Sequence, residues 1–152
     1  MSRRSGVTLA PPLIYLLFIG FAWALSAQLP IPLPRNDWTG YLGWGLIDAG
    51  VVLMLWAALL MFRRKTTINP FRKPQKLLDS GPFRLSRNPI YLADTLIYCG
   101  IGLLLGSLWP WLLLPALIAC MNRGVIAYEE HLLTRLFGDD YRAYQARVRR
   151  WL

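Results

Sequence analysis

The sequence is poor in the side chains that most often carry polar chemistry: one histidine, two cysteines and eight acidic residues in a chain of 152. Cys99 and Cys120 both fall inside apolar runs and show no metal-ligand spacing. No disulfide framework or metal site follows, and the thiols read as small packing residues. His131 has no Asp, Ser or Cys at a telling spacing, which leaves it without the partners a catalytic base needs. Arg3 and Arg4 precede the first apolar run, but no small-x-small cleavage site stands beyond it, so that run reads as a mature helix and not a signal peptide.

What the chain has instead is apolar length and positive charge. Hydrophobic residues make up 55% of it and the net charge is +9. A small soluble domain of that composition would expose large apolar patches. Apolar runs cover Pro12–Leu29, Tyr41–Phe62, Ile90–Leu108 and Trp111–Ala127. Each is close to the roughly 20 residues a helix needs to cross a bilayer core of about 30 Å. The expected fold is all-α: a polytopic membrane protein of about four transmembrane helices, forming one domain over residues 1–152. Within it, residues 1–62 supply two spans and 63–152 supply a long loop, a helical hairpin and the final amphipathic helices.

Charge placement fixes an expected orientation. Arg3 and Arg4 precede the first span, eight Lys and Arg fill Arg63–Arg87, six Arg follow from Arg123 onward, and only Arg35 lies in a loop on the other side. The positive-inside rule then puts both termini and the long loop in the cytoplasm, with an inner (cytoplasmic) membrane location. The excess charge reads as topology plus attraction to anionic lipid headgroups, not as nucleic-acid binding.

Local punctuation places the helix ends. Pro30, Pro32 and Pro34 demand an extended connector, and Gly106-Ser107-Leu108-Trp109-Pro110-Trp111 a tight reversal between the third and fourth spans. Asn88-Pro89 reads as an N-cap followed by proline at the first helical position, a helix start whose free N–H groups suit a carboxylate. After the fourth span Leu132, Leu133, Leu136 and Phe137 share one face. Gly138 breaks the pattern, and Asp139-Asp140 opens a second stretch carrying Tyr141, Tyr144, Val148 and Trp151. That hairpin either lies along the membrane surface or covers a cytoplasmic pocket.

Ionisable residues within spans are costly and default to functional candidates. Asp48 lies near the outer end of the second span, where interfacial exposure is an alternative. Asp94 lies one turn into the third, sharing a face with Tyr91 and Tyr98; it is a candidate catalytic group, with bonding to a neighbouring helix as the structural alternative. Glu129-Glu130 opposes the dipole at the end of the fourth span and so calls for a compensating partner: Arg123, a basic loop residue or a cationic ligand. Gly102 and Gly106 form a GxxxG spacing that reads as a packing device.

The string from Gly81-Pro82-Phe83-Arg84 through Arg87-Asn88-Pro89-Ile90-Tyr91, then Glu129-Glu130-His131 and Phe137-Gly138-Asp139-Asp140-Tyr141-Arg142-Ala143-Tyr144, closely resembles the isoprenylcysteine carboxyl methyltransferase family and the related phospholipid methyltransferases. Their pattern is a glycine turn, Arg-His-Pro-x-Tyr, a hydrophobic hairpin, paired glutamates and Phe-Gly-x-x-Tyr-x-x-Tyr. The likeness covers residues 64–152.

The resemblance implies S-adenosyl-L-methionine as cofactor and a lipophilic or membrane-delivered acceptor, either a small molecule or a lipid. It implies cofactor-binding roles for Gln75, Lys76, Leu77, Leu78, Phe83, Asn88, Pro89, Ile90, Tyr91 and Glu129. Asn88 stands where the signature has histidine, which excludes proton transfer at that position. Val125 stands where prenylcysteine enzymes carry an arginine for the substrate carboxylate, with Arg123 nearby as a substitute. A carboxylate or thiolate acceptor needs no base; for an amine or hydroxyl, Glu130 and Asp94 are the candidates. Two other readings remain: an NADPH-dependent membrane reductase, whose C-terminal region looks similar, and a non-catalytic membrane adaptor.

Overall fold

The computed structural model describes residues 10–65 and 76–152. Helix α1 spans Pro11–Gln28, α2 Asp37–Arg63, α3 Pro89–Leu105, α4 Trp109–Cys120 and α5 Ala127–Arg147. A π-helical turn, Met121–Ile126, joins α4 to α5 without a break, and a short 3₁₀ turn, Gly81–Arg84, precedes α3. Helices α1, α2 and the α4-to-α5 helix are long and apolar enough to cross a membrane; α3, at 17 residues, is slightly shorter. At 1.5 Å per residue α3 reaches about 26 Å, close to the hydrocarbon thickness. The four expected spans therefore exist as helices, with ends moved by a few residues.

Local chemistry explains the ends. Asn36 and Thr39 form a reciprocal capping box at the start of α2, with Thr39 N–H donating to Asn36 Oδ1 at 2.9 Å and Asn36 N–H donating to Thr39 Oγ1 at 3.0 Å. Pro89 occupies the first turn of α3 as expected, but the Asn88 side chain makes no cap. At the proline-rich end the extended connector pairs with the α3–α4 reversal: Leu33 N–H donates to the Gly106 carbonyl and Leu108 N–H to the Ile31 carbonyl, both at 2.9 Å. Ser26 Oγ reaches Ser107 Oγ at 2.6 Å and the Trp109 indole reaches the Leu29 carbonyl at 2.6 Å, so α1 is tied to the same corner.

Two packing regions hold the helices. Between α2 and α3 the backbones nearly touch. A Cβ on Gly100 would lie 2.5 Å from the Gly43 carbonyl oxygen, and one on Gly50 would lie 2.8 Å from the Ala93 carbonyl. Small residues allow this approach, the usual route to helix association where lipid is as apolar as the side chains. The GxxxG glycines serve packing as expected, but not at the α2–α3 contact. Gly102 packs on Pro110 of α4, Gly106 ends α3 beside Arg35, and the intimate contact belongs to Gly43, Gly50 and Gly100. The second region joins α1, α3 and α4 through Ile14, Tyr15, Tyr98, Leu117, Met121, Val125 and Ile126, all buried.

The break at Gly138 is present. Its φ of 53° and ψ of −121° lie outside the range open to most L-residues, so the chain turns there and Asp139–Arg147 runs as a separate helical stretch. Tyr141 and Tyr144 of that stretch are buried. The helix ends at Arg147 and Val148 is extended, so Val148 and Trp151 do not continue the tyrosine face as expected.

Candidate functional site

The residues of the signature gather at the end of the bundle opposite the proline connector. Gly81, with φ of +57°, lies against Trp56 and Leu60 of α2 and starts the 3₁₀ turn. Chain direction then reverses through Ser86-Arg87-Asn88 into α3. Ser86 is fully buried, its hydroxyl accepting from Asn88 N–H at 3.0 Å and donating to the Arg150 carbonyl at 3.1 Å. Asn88 Nδ2 donates to the same carbonyl at 3.0 Å, and Arg87 N–H donates to the Arg149 carbonyl at 3.0 Å. Tyr144 crosses from α5 to donate its hydroxyl to the Phe83 carbonyl at 2.7 Å.

The paired glutamates divide their roles. Glu129 accepts the Tyr91 hydroxyl at 2.6 Å, a contact between the start of α3 and the start of α5. Burial pushes the Glu129 carboxyl above the usual carboxylate range; the Tyr91 hydroxyl lowers it and the neighbouring Glu130 raises it further. Glu130 is gripped by two arginines. Arg150 binds it with a fork, Nε to Oε1 at 3.0 Å and Nη2 to Oε2 at 2.6 Å, while Arg87 Nη1 stands 3.1 Å from Oε1. The Glu130 and Arg87 side chains are only 14% and 13% exposed. The Arg87–Glu130 contact is an ion pair without hydrogen-bond alignment, and Arg87 Nε and Nη1 are buried with no acceptor among the described residues.

This geometry corrects two expectations. Both Glu130 oxygens are engaged by guanidinium groups, the arrangement of an anchor and not of a base open to a substrate. Its compensating partners are Arg87 and Arg150; Arg123, in the π-helical turn, is exposed and makes no ion pair among the described residues. The π turn shifts the helical register between residues 123 and 130, so the expected alignment of Arg123 with Glu130 is lost. Val125 is buried in the apolar core, so the position of the prenylcysteine arginine packs and does not face a ligand.

Asp94 lies within reach of this cluster but makes a different use of its carboxylate. Its Oδ2 is buried with no hydrogen-bond partner among the described residues. Tyr15, on α1, hydrogen-bonds Thr95 Oγ1 at 2.8 Å and the Tyr91 carbonyl at 3.1 Å, closing the cluster on that side. Tyr98, expected to share the Asp94 face, donates to the Pro110 carbonyl at 2.8 Å and is structural. Asp48 and His131 are both exposed.

Of the expected cofactor residues, Tyr91 and Glu129 are in contact, Asn88, Pro89 and Ile90 form the turn leading to Tyr91, and Phe83 is tied to α5 through Tyr144. Leu78 is buried, Leu77 half-buried and Lys76 exposed, and Gln75 lies outside the described residues. Two residues of this end were not singled out in the sequence, Arg150 and Asn122, and Trp151 was expected only as part of the amphipathic stretch. The Trp151 indole donates to Asn122 Oδ1 at 3.0 Å, joining the segment after α5 to the π turn. The signal for Arg150 was the uncompensated glutamate pair, but 17 Lys and Arg compete for that role.

The cluster offers donors and acceptors of a defined kind. The first turn of α3 leaves N–H groups without intrahelical acceptors, and no side chain caps them. Arg87 adds unsatisfied N–H groups, while Glu129 and Asp94 supply carboxylates. A zwitterion bearing a further positive charge matches that set.

A family model described as phospholipid methyltransferase matches residues 38–140. Over 104 residues the chain is 33% identical to the nickel-cobalt-cadmium resistance protein NccN of Alcaligenes xylosoxydans xylosoxydans, covering 67% of this chain and 44% of that protein. It is 33% identical over 100 residues to the cobalt-zinc-cadmium resistance protein CzcN of Cupriavidus metallidurans, covering 66% and 41%. It is also 43% identical over 63 residues to an uncharacterized protein of Haemophilus influenzae, covering 41% of this chain and 100% of that one. The chain thus spans less than half the length of the two resistance proteins. No solved structure matches it. With the family match running from α2 through the kink of α5, and helices that suit a bilayer, the chain belongs to the phospholipid methyltransferase family of integral membrane proteins.

Proposed function

We propose that this protein transfers a methyl group from S-adenosylmethionine to a lipophilic or membrane-delivered acceptor, at the end of the bundle where α3 begins. The observation that carries the reading is the Tyr91–Glu129 contact, which joins the two halves of the signature 38 residues apart in sequence. Asn88, Pro89, Ile90 and Tyr91 would hold the cofactor at the start of α3, with the helix N–H groups and Arg87 matched to its carboxylate and Glu129 to its positive charge. Phe83 supplies an aromatic surface nearby and Leu77 and Leu78 an apolar one.

The cofactor supplies an electrophilic methyl on a sulfonium, and transfer neutralises charge as it proceeds. The protein's work is therefore alignment and exclusion of water, which the buried turn at Ser86 and the folded-back Asp139–Arg147 stretch provide. A carboxylate or thiolate acceptor needs no proton acceptor. For an amine or hydroxyl, Asp94 is the group that remains, because Glu130 is held by two arginines.

The basic-residue asymmetry supports placing this end in the cytoplasm, with the proline connector on the other face. Calorimetry with S-adenosylhomocysteine and with NADPH tests the cofactor assignment. Binding of the first is expected; tight NADPH binding with no response to S-adenosylhomocysteine would overturn the assignment in favour of a reductase.

A further inference from the structure

The segment 148–151 after α5 makes contacts out of proportion to its length. Its backbone carbonyls at Arg149 and Arg150 receive Arg87 N–H, Ser86 Oγ and Asn88 Nδ2, which together fix the turn into α3. Its Arg150 side chain forks onto Glu130 of α5, and its Trp151 indole binds Asn122 in the π turn. One short strap therefore joins the turn into α3, the start of α5 and the π turn.

The π turn makes this strap consequential. A π-helical turn interrupts the i to i−4 ladder, so the rotation of α5 about its axis is not dictated by α4 in the way a continuous α-helix would dictate it. Neighbouring helical residues point about 100° apart, because 3.6 residues complete a turn. One rotation of α5 therefore moves Glu129 and Glu130 together. Glu130 is fixed by Arg150 and Arg87, and Glu129 meets Tyr91 as the result.

We infer that Arg150 is a positioning residue of the site: by holding Glu130, with Trp151 holding the π turn, it sets the α5 rotation that brings Glu129 to Tyr91 at the start of α3. Among the described residues the Arg150 side chain makes no hydrogen bond to Tyr91 or Glu129; its guanidinium binds Glu130, and its carbonyl accepts from Asn88 Nδ2. The ligand side of the inference rests on the methyltransferase reading above; the coupling between Arg150 and Tyr91 does not.

Two measurements test it. In the ligand-free protein in detergent, the melting-temperature loss from Tyr91→Phe is measured in the wild-type and Arg150→Gln backgrounds. The inference expects the loss to shrink by at least about half when Arg150 is already gone, as for residues joined in one network. Additive losses overturn it, since residues that do not share a partner behave additively. If Arg150→Gln does not fold, Arg150→Lys carries the same cycle. It keeps the charge but not the fork, and partial coupling is expected. In the second measurement Arg150→Gln is expected to weaken S-adenosylhomocysteine binding at least tenfold, while Arg142→Gln leaves it unchanged, Arg142 pairing among the described residues with exposed Asp139. Undiminished affinity in Arg150→Gln overturns the positioning role. Wild-type protein that binds no S-adenosylhomocysteine overturns the methyltransferase reading, and the melting cycle alone then decides the role of Arg150.

Discussion

Helix α3 is held in two ways along its length, and the contrast shows how a membrane protein separates stability from chemistry. Over Ala93, Ile97 and Gly100 it meets α2 through backbone, glycines and branched apolar side chains, with no side-chain hydrogen bond across the contact among the described residues. At its start it is held by hydrogen bonds and ion pairs: Asn88 to the Arg150 carbonyl, Tyr91 to Glu129, Arg87 to Glu130. The first region tolerates no added volume but carries no information about a ligand. The second has geometry that a ligand can read, and it retains unsatisfied groups at Arg87 and Asp94. Dispersion adds up over many contacts and needs close approach, whereas polar recognition needs a few oriented groups.

The sharpest way to break this contrast is to add volume where the backbones meet. A side chain on Gly100 would meet the Gly43 carbonyl and Ile47 Cγ1, at 2.5 and 2.7 Å from its Cβ, and a carbonyl cannot rotate away as a side-chain tip can. Gly100→Val is expected to cost about 3 kcal/mol or more, at the upper end for overpacking. Thermal unfolding in detergent checks it. A stability equal to wild type would mean that α2 and α3 are free to separate.

The opposite outcome is expected at Glu129, where charge is removed and shape kept. Glu129→Gln should fold and lose about 1.5–3 kcal/mol of S-adenosylhomocysteine affinity, the scale of a hydrogen bond to a charged group. Without ligand the sign reverses. Burial raises the folded-state pKa of Glu129 above its unfolded value, so folding favours the protonated form. Its contribution is fully present below the ordinary carboxylate range, near about pH 4, and is lost as pH rises through the raised value. The melting temperature of wild type should therefore fall relative to Glu129→Gln across that window. A rising difference would place the carboxylate in a site that stabilises its charge without any ligand.

A smaller effect sharpens the polar side. Tyr144→Phe deletes the bond to the Phe83 carbonyl and leaves that oxygen to find water, at a cost of about 1 kcal/mol. The ring remains packed beside Tyr141, so the loss should appear as faster amide exchange at residues 81–86 and leave the α2–α3 contact unchanged. Equal acceleration in α2 would show that the two regions unfold as one unit.

Much of the frame was legible before any coordinates. Runs of apolar residues located the spans because a bilayer leaves a helix few ways to satisfy its backbone. Pro89 and Gly138 located a start and a break because each restricts or frees φ in a manner set by its own covalent structure. The ordered motif grouped Asn88, Tyr91 and Glu129, and in the fold the Tyr91 hydroxyl meets Glu129. Of the partners expected for Glu130, a basic loop residue, Arg87, is present, while Arg123 sits exposed in the π turn, whose extra residue no periodicity count anticipates.

The sequence by itself determined that this chain carries helices apolar enough for a membrane, which segments form them and which end carries the polar residues, because those properties depend on local hydropathy, charge and backbone restriction. Only the tertiary structure decided which glycines touch and which arginine answers Glu130. It also decided that residues 148–151 fold back onto the start of α3. Those choices join residues up to 64 positions apart, as Ser86 and Arg150 are, and chemically equivalent candidates are distinguished by where packing places them and by nothing in their own identity.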